Sequence, residues 1–161
     1  MKQILILMFL IYNALYSQIS VSPMLLYIDP KTRNATMDVV NVTNEVREFH
    51  IDLKFGYYDY DSTGTAVLKY DDKVFEEEYS LIPYIKMFPK KLIIPPKETQ
   101  TVRFMVKNLP EDGNKTYWTR FIAYSEPVNP QIDTSLTESE PGKIKPKIIL
   151  KTQMNGQIVF N

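Results

Sequence analysis

A single histidine, no cysteine and a short acidic stretch supply nearly all the reactive chemistry that this chain of 161 residues offers. The histidine, His50, falls in a run where Phe49, Ile51, Leu53 and Phe55 alternate with Glu48, His50, Asp52 and Lys54. A strand places such a residue on its wet face, so a solvated imidazole is expected rather than a general base. A serine triad would need that histidine, and neither a G-x-S-x-G elbow nor a glycine-rich phosphate loop is present. The acidic stretch, Asp59-Tyr60-Asp61-Ser62-Thr63-Gly64, opens like a calcium loop, which makes Asp59 and Asp61 metal-ligand candidates. Its twelfth position is Tyr70, however, where bidentate ligation needs glutamate, and the flanks read as strands. A hairpin tip built from Asp, Ser and Gly is the plainer expectation, with Glu76-Glu77-Glu78 as a solvated rim. No enzyme, cofactor or small-molecule substrate is expected.

A protein without catalytic parts acts through its surfaces, and the closing segment is the one to weigh. Ile144, Ile148, Leu150, Met154, Ile158 and Phe160 share one parity, while Lys143, Lys145, Lys147, Lys151, Gln153, Asn155 and Gln157 share the other. Such a strand either turns its apolar face into its own core or lies at an edge and lends backbone and side chains to another chain. Periodicity does not choose between the two.

The elements that must position this segment are strands. Eleven tyrosines, eight phenylalanines, five glycines and eleven prolines favour strands separated by proline-marked turns. Strand character runs over 19–28, with Pro23 inside it to break it or hold it at an edge. It recurs over 35–42, 47–58, 81–94, 99–106 and 116–124, and in the closing segment. In KKLIIPPKETQTVRFM (90–105) the Pro95-Pro96 pair lacks amide donors and must separate two strands. A polar, acidic long hairpin or mobile connection is expected after Tyr57, and a mobile surface loop over 128–143. No long 3.6-residue apolar period appears, so the expected class is all-β: an immunoglobulin-like β-sandwich of about seven strands.

Lysine plus arginine, 19, equals aspartate plus glutamate, 19, so no global field favours nucleic acid. Residues 1–17, MKQILILMFLIYNALYS, have the layout of a signal peptide cut near Ser17, leaving 18–161 as one domain without stable membrane insertion. The absence of cysteine suits a bacterial protein of the periplasm or one secreted beyond it.

Three stretches in this order, KKLIIPPKETQTVRF, YWTRFIAYSEP and KIILKTQMNGQIVF, resemble the N-terminal immunoglobulin-like domain of the PapD-like periplasmic pilus chaperones. The resemblance covers about Ile19 to Phe160. It implies a chaperone for pilus or surface-appendage assembly, whose partner is a secreted or pilin-like subunit bound by donor-strand β-augmentation. It assigns the inserted face to Ile148, Leu150, Thr152 and Met154, with Ile144 and Ile158 at the margins, and pairs Arg103 with Glu126 in an ion-pair network. Two departures stand out: the family's carboxylate-clamping arginine and lysine correspond to Leu25 and about Asn155, and only Lys147 or Lys151 would substitute, with shifted geometry. A structural or adhesive sandwich module is the alternative. The family's second domain has no counterpart in these 161 residues.

Overall fold

Strands that alternate this strictly must each bury one face. In the computed structural model, which describes residues 19–109, 115–128 and 152–161, they do so by stacking two sheets around one core. The first sheet holds, in order, Ile19–Ser22 (β1), Asn34–Asn41 (β3), Thr99–Val106 (β9) and Ile85–Phe88 (β7). The second holds Leu25–Ile28 (β2), Gln153–Phe160 (β11), Tyr117–Pro127 (β10), Arg47–Lys54 (β4) and Lys91–Ile94 (β8). Every pairing in these sheets is antiparallel except that of β2 with β11.

Two strands of the sandwich change sheets partway. The first is β1 in one sheet and β2 in the other, broken at Pro23; the second is β7 and then β8, broken at Pro89. Proline has no amide donor, so the ladder stops there and the chain is free to cross. Counting each broken pair as one strand gives seven, the expected sandwich.

Phe49 of β4, Phe104 of β9 and Phe121 of β10 are fully buried at the centre, with Val102 and Val106 following the same parity. Each such side chain contributes roughly 1.5–3 kcal/mol through burial. The turn after Ile94 is the one the double proline demanded: β8 ends, Glu98 N donates to Pro95 O at 3.3 Å, and β9 starts in the opposite sheet.

One buried polar side chain ties that turn down. Asn41 has no exposed surface; its Nδ2 donates to Glu45 O (2.7 Å), Ile94 O (2.9 Å) and Pro95 O (3.1 Å), and its Oδ1 accepts from Thr43 N and Thr43 Oγ1. The Asn41-Val42-Thr43 triplet, which resembles a glycan acceptor, is thus a structural clasp.

The acidic connection forms a hairpin as expected, but with other bounds and with a helix after it. The strand expected over 47–58 ends at Lys54, and Tyr57–Tyr60 (β5) pairs instead with Ala66–Lys69 (β6) as a separate hairpin. A short helix, Lys73–Tyr79 (α1), follows, started by the Asp72 carboxylate accepting from Phe75 N at 3.2 Å. A chain of ring contacts holds this appendage to the sandwich: Tyr57 stacks on Phe75 and Tyr79 on Trp118, while Phe75 meets Tyr79 and Trp118 meets Phe55 at a tilt. Seven residues are too few for a helical period to show in sequence, although an aspartate before an acidic run is a capping signal.

Candidate functional site

The closing strand has two unlike halves. Over Gln157–Phe160 it is an interior strand, antiparallel to β10 and parallel to β2. Over Gln153–Gly156 it pairs with β10 alone. The boundary falls where the first strand crosses between sheets, and there Gln157 N donates to Met24 O at 2.8 Å. Upstream of that bond one edge of β11 has no described strand beside it.

Gly156 permits this junction. A Cβ at this position would lie 2.2 Å from Met24 O and 2.2 Å from the Phe121 ring, so the crossing segment and the core ring both occupy the space a side chain would take. The sequence showed this glycine only as a gap in the alternation.

The expected partner-binding residues separate accordingly. Ile158, expected at a partner-facing margin, is fully buried in the sandwich's own core, between β2 and β10. Met154 is half-buried and packs on that core, and Thr152 is half-buried just before the strand. Ile144, Ile148 and Leu150, with Lys147 and Lys151, the signal segment 1–17 and most of the loop over 128–143, lie outside the described residues.

The strand beside this junction is apolar on its outer side. Leu25 stands opposite Gln157 and is 44% exposed, and Tyr27 stands opposite Val159 and is 68% exposed. Leu25 and Asn155 occupy the positions where the resemblance would put a cationic clamp, and both side chains are neutral.

Arg103 and Glu126 are not brought together. Between buried Val102 and Phe104, Arg103 points out of the four-stranded sheet, whereas Glu126, between buried Ser125 and exposed Pro127, belongs to the five-stranded one. The alternation that buries their neighbours turns the two charges to opposite outer faces. His50 is on the outer face as expected, where its Nε2 meets Glu48 Oε1 at 2.7 Å and its ring stacks on Tyr124.

Asp59 and Asp61 serve the β5–β6 hairpin. Asp59 pairs with Lys69, and Asp61 accepts from Thr63 N (2.8 Å), Thr63 Oγ1 (2.6 Å) and Thr65 N (3.0 Å). The Thr63 hydroxyl first, then the Thr65 and Thr63 amides, hold the Asp61 carboxyl below its ordinary range. A depressed folded value means that the turn's support is present above the unfolded value and is lost as pH falls through the folded one. An NMR titration of the Thr63 and Thr65 amides should therefore show a midpoint below that of a free aspartate, and Asp61→Asn should remove the transition.

With the geometry in place, comparison with known proteins identifies the architecture. No protein-family model matches the sequence, and no curated protein does. Solved structures do. The SafB chaperone, from its complex with the SafA pilin of Salmonella enterica, is 12% identical with a TM-score of 0.56, over 92% of this chain and 55% of that one. The CsuC chaperone, from the CsuC–CsuE chaperone–tip adhesion subunit pre-assembly complex of Acinetobacter baumannii, is 14% identical with a TM-score of 0.55, over 89% and 56%. PapD-like domain 7 of human CEP192 is 9% identical with a TM-score of 0.51, over 92% and 89%. The chain spans about half the length of the pilus chaperones that it matches. Identities this low show a shared fold: the PapD-like immunoglobulin sandwich that the sequence resemblance implied.

Proposed function

We propose that this chain is an exported, chaperone-like protein of pilus or surface-appendage assembly, which binds a secreted, pilin-like subunit by lending it the upstream half of its closing strand. The observation that carries this reading is the one-sided pairing of Gln153–Gly156 above a segment anchored on both sides. An anchored strand with an open edge can donate backbone hydrogen bonds without the domain unfolding, and alternate apolar residues upstream would fill pockets on the partner. The donor set becomes Ile144, Ile148, Leu150 and Thr152, with Met154 at the margin and Ile158 assigned to the core. Leu25 and Asn155 provide no charge for a terminal carboxylate, so affinity rests on backbone pairing and apolar pockets. Delivery to the periplasm or beyond rests on the signal-like segment 1–17; no helix among the described residues is long and apolar enough to cross a membrane.

Pull-down of the full chain from its own cells tests the proposal. Wild type should recover a secreted β-rich subunit, and Leu150→Asp should lose it while keeping its thermal midpoint. Equal recovery by both proteins overturns strand lending by this face. The second reading, a structural or adhesive module, draws on the presence of the same sandwich as a domain of a human protein. It predicts that Leu150→Asp unfolds the domain, because an aspartate in a core costs several kcal/mol.

A further inference from the structure

The opposite side of the sandwich carries a second open edge that this function does not use. β7 pairs with β9 alone. Across from it β8 covers β4 only over Arg47–His50, leaving Ile51–Lys54 without a described strand on that side. Between these edges runs a groove lined by Ile51, Leu53, Ile82 and Met87, with Lys86 and Lys90 among its walls and Asp52 the one carboxylate among the described residues lining it. On the outer face of β7, Phe88 is 77% exposed, with Arg103 as its cross-strand neighbour. Lys107 joins the same surface. Among the described residues none of these four cations enters an ion pair. Among the described residues, a protein with no net charge thus gathers an excess of positive charge around β7 and its neighbour β9.

We propose that β7 is a second peptide-binding edge, which takes an extended segment of a partner polypeptide in which acidic residues alternate with apolar ones. An added strand would satisfy the free backbone groups of β7. Its period of two would send alternate side chains into the apolar groove and the others toward Lys86 and Arg103 on the outer face. Lysines on an edge repel basic and purely apolar strands, so the same residues that guard the edge select an acidic one.

Fluorescence anisotropy on the full chain tests this with a labelled ten-residue peptide of alternating valine and glutamate. Saturable binding is expected, weakened by roughly tenfold or more in the Lys86→Glu/Arg103→Glu double variant, since two attractive pairs become repulsive. The double variant should instead prefer a valine–lysine peptide, and methylating alternate peptide amides should abolish binding to wild type. Both substitutions are on exposed positions away from the closing strand, so subunit capture should be unchanged, which separates this proposal from the preceding one. No saturable binding of the glutamate peptide, equal binding by the double variant, or indifference to amide methylation would each overturn it.

Discussion

Replacing Gly156 with alanine should destabilise the domain by about 3 kcal/mol, at the upper end of what overpacking a well-filled core costs. For a domain of this size that corresponds to a fall in Tm of roughly 6–12 °C. The added methyl would sit 2.2 Å from Met24 O and 2.2 Å from the Phe121 ring, well inside contact distance. Neither neighbour can yield cheaply. Met24 O is held by Gln157 N at 2.8 Å, and Phe121 is fully buried. Relief requires either prising the crossing segment from β11 or displacing a ring at the centre of the core. Differential scanning calorimetry of Gly156→Ala checks this, and a Tm within a degree of wild type would mean that the crossing is not packed on the strand as described. Gly64→Ala is the useful contrast. That position has open space around it but a φ of +81°, so its cost of about 1 kcal/mol would come from backbone strain in an exposed hairpin.

The second large effect is expected at Asn41, where aspartate should be worse than alanine. Asn41→Ala removes the amide donor to Glu45 O, Ile94 O and Pro95 O together, at a buried to half-buried site where Pro95 O keeps only the 3.3 Å bond from Glu98 N. An unsatisfied buried group costs about 1–3 kcal/mol, so a loss of roughly 3 kcal/mol is expected even if one carbonyl finds water. Asn41→Asp keeps the shape but turns a carboxylate oxygen toward the three carbonyls that the amide nitrogen had served, adding repulsion and the desolvation of a charge. Urea unfolding should rank wild type above alanine above aspartate. An aspartate variant as stable as wild type would show that the amide does not hold the turn.

The layers of this fold were readable because strands announce themselves in period two. Phe49 and Ile51 point inward in the order the alternation required, and so do Val102, Phe104 and Val106, whereas Phe55, just past its strand, is buried against Trp118 and Tyr57. The prolines were informative too: Pro23 did break its strand, and Pro95-Pro96 did separate two. What proline could not say is where the chain goes after a break. That Pro23 and Pro89 are both followed by a change of sheet depends on which neighbours have free edges, which is a property of the assembled sheets.

The site was legible only in outline. Alternation marked the closing segment as a strand with one apolar face, and left open whether that face was core or edge. It is both in turn, because β2 runs beside Gln157–Phe160 and stops short of the residues before them. Ile158 and Met154 have the same parity and nearly the same chemistry, yet one is sealed in the core and the other lies half-buried on the open half. Arg103 shows the same limit in another way. Its neighbours' parity turned it outward, but nothing local placed Glu126 on the other sheet.

By itself, then, the sequence determined the class of the fold, the inward face of most strands, the absence of a nucleophilic cysteine and the place of a hairpin tip at Asp61–Gly64. Each of these depends on residues within a few positions of one another, where period, proline and side-chain chemistry act directly. The tertiary structure alone decided which half of the closing strand is open, why position 156 must be glycine, that Asn41 is a clasp, and that Lys86 and Arg103 share an outer sheet face with exposed Phe88. Those facts join residues distant in the chain, and they arise only when two sheets close on each other and fix which edges remain unpaired.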